Sequence, residues 1–133
     1  MDNQVATSQA AAPPGPPYSS AIRVEAGEAL LFVSGQLPID PETGEMGPCD
    51  VGRQTTLAMT NALRVVGDNG GSSSDIVKVG IFTTRISEIA DINANYLSLL
   101  GEHRPARSLV EVSALPREAL VEIELVARVP ARR

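Results

Sequence analysis

Near its C-terminal end the chain sets an arginine and three glutamates at strand-like spacings: Arg107 and Glu111 in one run, Glu122 and Glu124 in the next. A guanidinium is a planar fork of donors that matches a carboxylate bidentately. A carboxylate beside water can orient it or accept its proton. Taken singly, Arg107 reads as well as a surface arginine in an ion pair, and either glutamate as a solvated strand residue. The other usual carriers of chemistry stand alone. Cys49 is the only cysteine and His103 the only histidine, so an intrachain disulfide and a structural zinc site are excluded. Both read as loop residues. No metal-ligand cluster, Gly-rich phosphate loop or suggestively placed lysine is present, so no cofactor and no metal is expected.

Those residues have to be held by regular elements. Ala29 to Ser34 is a short apolar run that reads as a strand buried on both faces. A loop with Asp40-Pro41 and Gly44 follows it, which is turn chemistry. Asp50 is a plausible N-cap, and behind it Met59, Ala62, Leu63 and Val66 recur at helical spacing until Gly67 to Gly71. Ile76 to Thr84, rich in Val, Ile and Thr, is a second strand. Ser87 is positioned to cap a second helix that buries Ile89, Ile92, Tyr96 and Leu99 and stops at Gly101.

The last two strands are Arg107 to Ser113 and Leu120 to Arg128. Their alternation sets Val121, Ile123, Leu125 and Ala127 on one face and Leu120, Glu122, Glu124 and Val126 on the other. A simple hairpin between these strands would put Arg107 opposite about Val126. The order of elements implies an α+β fold, a mixed sheet with two helices on one face. Its far face would then carry Arg107, Glu111, Glu122 and Glu124 beside Leu and Val, a surface suited to meeting another subunit.

Composition narrows the classes of function. A chain of 133 residues is one domain. Residues 1–17, rich in Ala and Pro, read as a disordered arm, and 18–133 as the domain. The formal charge is −5 with scattered basic residues, so nucleic acid is not an expected partner. The apolar runs are too short for a membrane span. The N-terminus lacks the marks of a secretory signal, and the expected compartment is the cytoplasm.

Several segments resemble the YjgF/RidA family, named for reactive intermediate deamination. They are Ser34-Gly35-Gln36-Leu37-Pro38 with Asp40 to Glu45, Ser74 to Lys78, Asn93 to Tyr96, Pro105 to Val112, Leu115-Pro116 and Val121 to Glu124. They lie in order at about the family's spacing, over roughly residues 16 to 128. The resemblance implies a chorismate-mutase-like two-layer sandwich, assembly as a homotrimer, and active sites in clefts between subunits. Three departures stand out. Pro16-Pro17-Tyr18-Ser19-Ser20 replaces the usual Gly-Pro-Tyr-Ser-Gln, Leu109 stands where a cysteine is common, and the stretch Gly101 to Arg104 is short.

The implied activity is hydrolytic deamination of enamines and imines of 2-oxo acids, such as 2-iminobutanoate and 2-iminopropanoate, with a small imino carboxylate as partner. By the resemblance, Arg107 is the arginine that holds the substrate carboxylate and Glu122 the glutamate that orients or activates water. Glu124 shares its face, so periodicity does not choose between the two. Tyr18 matches the pocket tyrosine and Asn93 an asparagine of the second helix. Ser34 would offer a hydroxyl, and Leu109 its main-chain groups. Two further readings remain: a pathway-specific biosynthetic enzyme acting on an unusual imine or enamine, and a regulatory trimer that binds a small carboxylate without turnover. Ribonuclease activity fits poorly with an acidic chain lacking a basic stripe.

Overall fold

The computed structural model describes residues 4–5 and 16–132. Most of the arm expected to be disordered therefore lies outside the described residues. Within it, β1 (Gln4–Val5) pairs antiparallel with β2 (Ile22–Arg23).

The chain then runs β3 (Ala29–Gln36), α1 (Val51–Asp68), β4 (Ile76–Thr83), α2 (Ile89–Ser98), β5 (Ala106–Glu111) and β6 (Val121–Val129). The larger sheet has the order β3-β6-β4-β5. β6 is antiparallel to both β3 and β4, and β5 is parallel to β4. This is the mixed sheet with two helices on one face that the pattern of elements implies.

The hairpin between the last two strands does not form. β4 lies between β5 and β6, because α2 carries the chain across to lay β5 parallel at the sheet's edge, as a strand-helix-strand unit does. Pro105 is buried just before β5, and a parallel β-bridge from Ser19 to Ala106 covers the start of its outer edge.

Both helices dock through apolar stripes. Ala58, Met59, Ala62 and Val66 of α1 and Ile92 and Tyr96 of α2 are fully buried against Val79, Ile81, Val121, Ile123 and Leu125. Ile89, expected on that buried face, is 39% exposed. Asp50 caps α1 as expected, its carboxylate accepting from Arg53 N at 3.0 Å. Ser87 does not cap α2; it lies within a 3-10 turn (Ile86–Glu88), and the cap position falls to Glu88. Buried polar groups in α1 tie the layers together. Gln54 donates to Pro48 O at 3.0 Å and accepts from Leu120 N at 2.8 Å. Asn61 donates to Leu37 O and Ile39 O at 3.1 and 2.8 Å, latching the loop after β3 onto the helix.

β3 buries only one face. Val33 enters the core, whereas Leu30 is 46% and Phe32 73% exposed. They share the helix-free side of the sheet with Val110 and Phe82, which leaves an apolar surface of the kind that a partner covers.

Candidate active site

Arg107 owes its position to the register of β5. It pairs with Val79, as Leu109 pairs with Ile81, and both of those β4 residues are core residues. Side chains of paired residues share a face, so Arg107 and Leu109 point toward the helices and not to the far face. There the Arg107 guanidinium lies over Tyr96 of α2, its Cζ 5.0 Å from the ring centroid, a cation–π distance. Leu109 packs on the edge of the core.

Burial lowers the Arg107 pKa from the ordinary arginine value, and the Tyr96 and Tyr18 phenols partly oppose it. Burial likewise pushes the Tyr96 phenol well up. No carboxylate pairs with Arg107 among the described residues. Its Nη1, the Tyr96 hydroxyl and the Asn93 Oδ1 are buried without a hydrogen-bond partner among those residues. Asn93 lies one helical turn before Tyr96, on the same side of α2. A half-buried cation on an aromatic seat, with unmet polar atoms on and beside it, is an incomplete arrangement. A small carboxylate has the acceptor geometry that would satisfy the unpartnered Arg107 guanidinium.

The Tyr18 segment is bound to the mouth of β5. Ser19 N donates to Pro105 O at 3.1 Å and the Ser19 hydroxyl donates to Arg104 O. Tyr18, 39% exposed, is thereby close enough to Arg107 to act on its charge. Main-chain groups along a strand point alternately to its two sides. Pro105 O points outward to Ser19 while Val112 N points inward to Thr83 O, so the Arg107 and Leu109 main-chain groups face the outer edge.

Glu122 is elsewhere. It pairs with Phe82 and Glu124 with Gly80, both on the face without helices, opposite to that of Arg107. The hairpin register set Arg107 and Glu122 on one face, though apart along the strand; the intervening β4 and the parallel direction of β5 put them on opposite faces. Glu122 is half-buried, with its carboxylate against Gly35, while Glu124 is exposed. Ser34 is exposed at the end of β3, its carbonyl accepting from Gln36 Nε2 at 3.1 Å. One chain thus groups Arg107, Tyr18, Asn93 and Leu109 on one side of the sheet, and brings Glu122 and Ser34 to the other. Tyr96, read from sequence only as a core residue, joins the first group; its helical spacing from Asn93 was the available signal.

His103 bonds the carbonyl of Ile76 through Nε2 at 2.7 Å, and Cys49 is an exposed thiol. No group of three or more His, Cys, Asp or Glu is placed to hold a metal among the described residues. No helix among them is long and apolar enough to cross a membrane.

The family model described as endoribonuclease L-PSP, that of the YjgF/RidA family, matches residues 8–129. The chain belongs to the YjgF/RidA family. A RutC family protein of Pyrococcus abyssi is 39% identical over 127 residues, covering 96% of this chain and 98% of that protein. The Escherichia coli K12 protein named 2-iminobutanoate/2-iminopropanoate deaminase is 37% identical over 130 residues, with 96% and 98% covered. Among solved structures, Escherichia coli TdcF with bound serine is 38% identical, with 86% of this chain and 88% of that one covered and a TM-score of 0.72. The YjgF/RidA fold agrees with the architecture described above.

Proposed function

We propose that this protein hydrolyses 2-imino acids, such as 2-iminobutanoate and 2-iminopropanoate, to 2-oxo acids and ammonia. The observation that carries the reading is Arg107: a half-buried guanidinium seated on Tyr96 and lacking any carboxylate partner among the described residues. A relative with that activity in its name and a relative with a bound amino acid in its structure support the same class of ligand.

In this reading Arg107 receives the substrate carboxylate as a bidentate pair. The outward main-chain groups of β5 and the Tyr18 phenol flank it, and the Asn93 amide, one turn before Tyr96 on α2, lies beside them. Water adds to the C=N carbon, which gives a carbinolamine, and the carbon–nitrogen bond then breaks with loss of ammonia. Glu122 orients the water and relays its proton to the departing nitrogen.

Arg107 and Glu122 lie on opposite faces of one sheet, so a single small substrate meets both only if they come from different chains. The exposed apolar face bearing Leu30, Phe32 and Val110 gives a second chain somewhere to pack. We therefore assign a cytoplasmic homotrimer, a closed ring in which each cleft takes Arg107 from one protomer and Glu122 from the next. The test is ammonia release from 2-iminobutanoate and 2-iminopropanoate, generated in situ by an amino-acid oxidase, with and without the protein. Accelerated release is expected; rates equal to the buffer control would overturn the assignment.

A further inference from the structure

We infer that Gly35 is a positioning residue for Glu122: its missing side chain is the space in which the Glu122 carboxylate lies. This rests on the assignment of Glu122 to the water step. Between the pairs Val33–Leu125 and Gln36–Ile123, β3 carries two residues, Ser34 and Gly35, where β6 carries one, Glu124. That is a β-bulge, a device that re-aims what lies beside it. Glu122 reaches back over the bulge. A Cβ placed on Gly35 would stand 2.6 Å from Glu122 Oε2, 2.9 Å from its Cδ and 3.2 Å from its Cγ. All three atoms belong to the end of the flexible Glu122 side chain, so a methyl at Gly35 is accommodated by displacing that carboxylate and not the backbone.

Backbone conformation does not require glycine at this position. Among the described residues the glycines with positive φ are Gly27, Gly44, Gly70 and Gly101, and Gly35 is not one of them. The second glutamate of the face gives the contrast. A Cβ on Gly80 would meet Glu124 first at its Cγ, 3.1 Å away, with the carboxyl Cδ and Oε2 at 3.5 and 3.7 Å, which is ordinary contact. Of the two glutamates, only Glu122 has its carboxylate in space that a Cβ on the facing glycine would take. This physical distinction separates two residues that strand alternation leaves equivalent.

The experiment combines Gly35→Ala with Glu122→Asp, Glu122→Ala and the control Gly80→Ala. Displacing a reacting group by an ångström costs about 100-fold in rate. Gly35→Ala is therefore expected to lower kcat toward 2-iminobutanoate on that scale while KM, set by Arg107, stays near its original value. Gly80→Ala is expected to stay near wild type. Shortening the acid makes room for the new methyl, so Gly35→Ala should cost far less in the Glu122→Asp background and nothing in the Glu122→Ala background. If Gly35→Ala alone does not fold, the double variant with Glu122→Asp should fold. Independently of turnover, the Glu122 side-chain carboxyl carbon resonance should move in Gly35→Ala and that of Glu124 should not. An unmoved Glu122 resonance, or an equal loss of kcat with and without the Glu122 side chain, would overturn the inference. A wild-type protein inactive on imines would defeat the proposed activity alone, and the resonance would still decide the placement.

Discussion

Arg107 carries its charge into a half-buried site and rests it on the Tyr96 ring, and the predictions at the residue scale turn on that pair. Losing a charge-assisted bidentate contact is worth roughly 3 kcal/mol, so Arg107→Ala should lower kcat/KM for 2-iminobutanoate by about 100-fold or more. The protein should remain folded by circular dichroism. Arg107→Lys should recover little, since an ammonium lacks the fork. Wild-type rates in the alanine variant would remove Arg107 from the reaction. Tyr96 supplies a seat and not a proton, because burial pushes its phenol upward, away from neutral pH. Tyr96→Phe should keep the KM, whereas Tyr96→Leu should raise it about tenfold, the scale of a desolvated cation–π contact. Steady-state kinetics of the two variants check this. In the sequence, Arg107 and Glu122 were singled out by the family resemblance, since strand spacing alone left Glu122 equivalent to Glu124. Tyr96 reads as core, because an aromatic on a helix's apolar stripe looks the same whether or not a cation rests on it, and its spacing from Asn93 is the one signal that points further.

At the scale of elements, the strands and helices were legible because their apolar periodicity is set locally. Val121, Ile123, Leu125 and Ala127 alternate inward as read, and Met59, Ala62 and Val66 line the buried face of α1. Strand order was not legible. The placing of β4 between β5 and β6 comes from the α2 crossover, and no alternation inside β5 records which neighbour it will have. That one difference moved Arg107 to the helix side and left Glu122 on the far side. The joints between elements carry a stability prediction. Gln54 satisfies both Pro48 O and Leu120 N. Gln54→Leu leaves these groups unmet, at a cost of about 1–3 kcal/mol for each group left buried. Denaturant unfolding at fixed protein concentration should show a lower midpoint, and an unchanged midpoint would mean that water replaces the side chain there.

For the whole molecule, the sheet face with Leu30, Phe32 and Val110 is the open question posed by a single chain. β3 reads from its sequence as buried on both faces, yet among the described residues one of those faces is left largely open at Leu30 and Phe32. The burial that its composition calls for is supplied, in this account, by a second copy. Phe32→Asp should then shift the protein from trimer to smaller species in sedimentation velocity at micromolar concentration. It should also lower the activity, although Phe32 touches no reacting group. A wild-type protein that sediments as a monomer would contradict the assembly. The claim that joins residue, element and assembly is that Arg107 of one chain and Glu122 of another act on one substrate. Subunit complementation tests it most directly. Arg107→Ala and Glu122→Ala proteins, each inactive alone, are unfolded together, refolded as a mixture and assayed for ammonia release from 2-iminobutanoate. Random reassortment around a three-membered ring leaves about one cleft in four with both wild-type residues, so about a quarter of wild-type activity should return. A refolded mixture of trimers as inactive as its parents would place both residues of each site in the same chain and contradict the account.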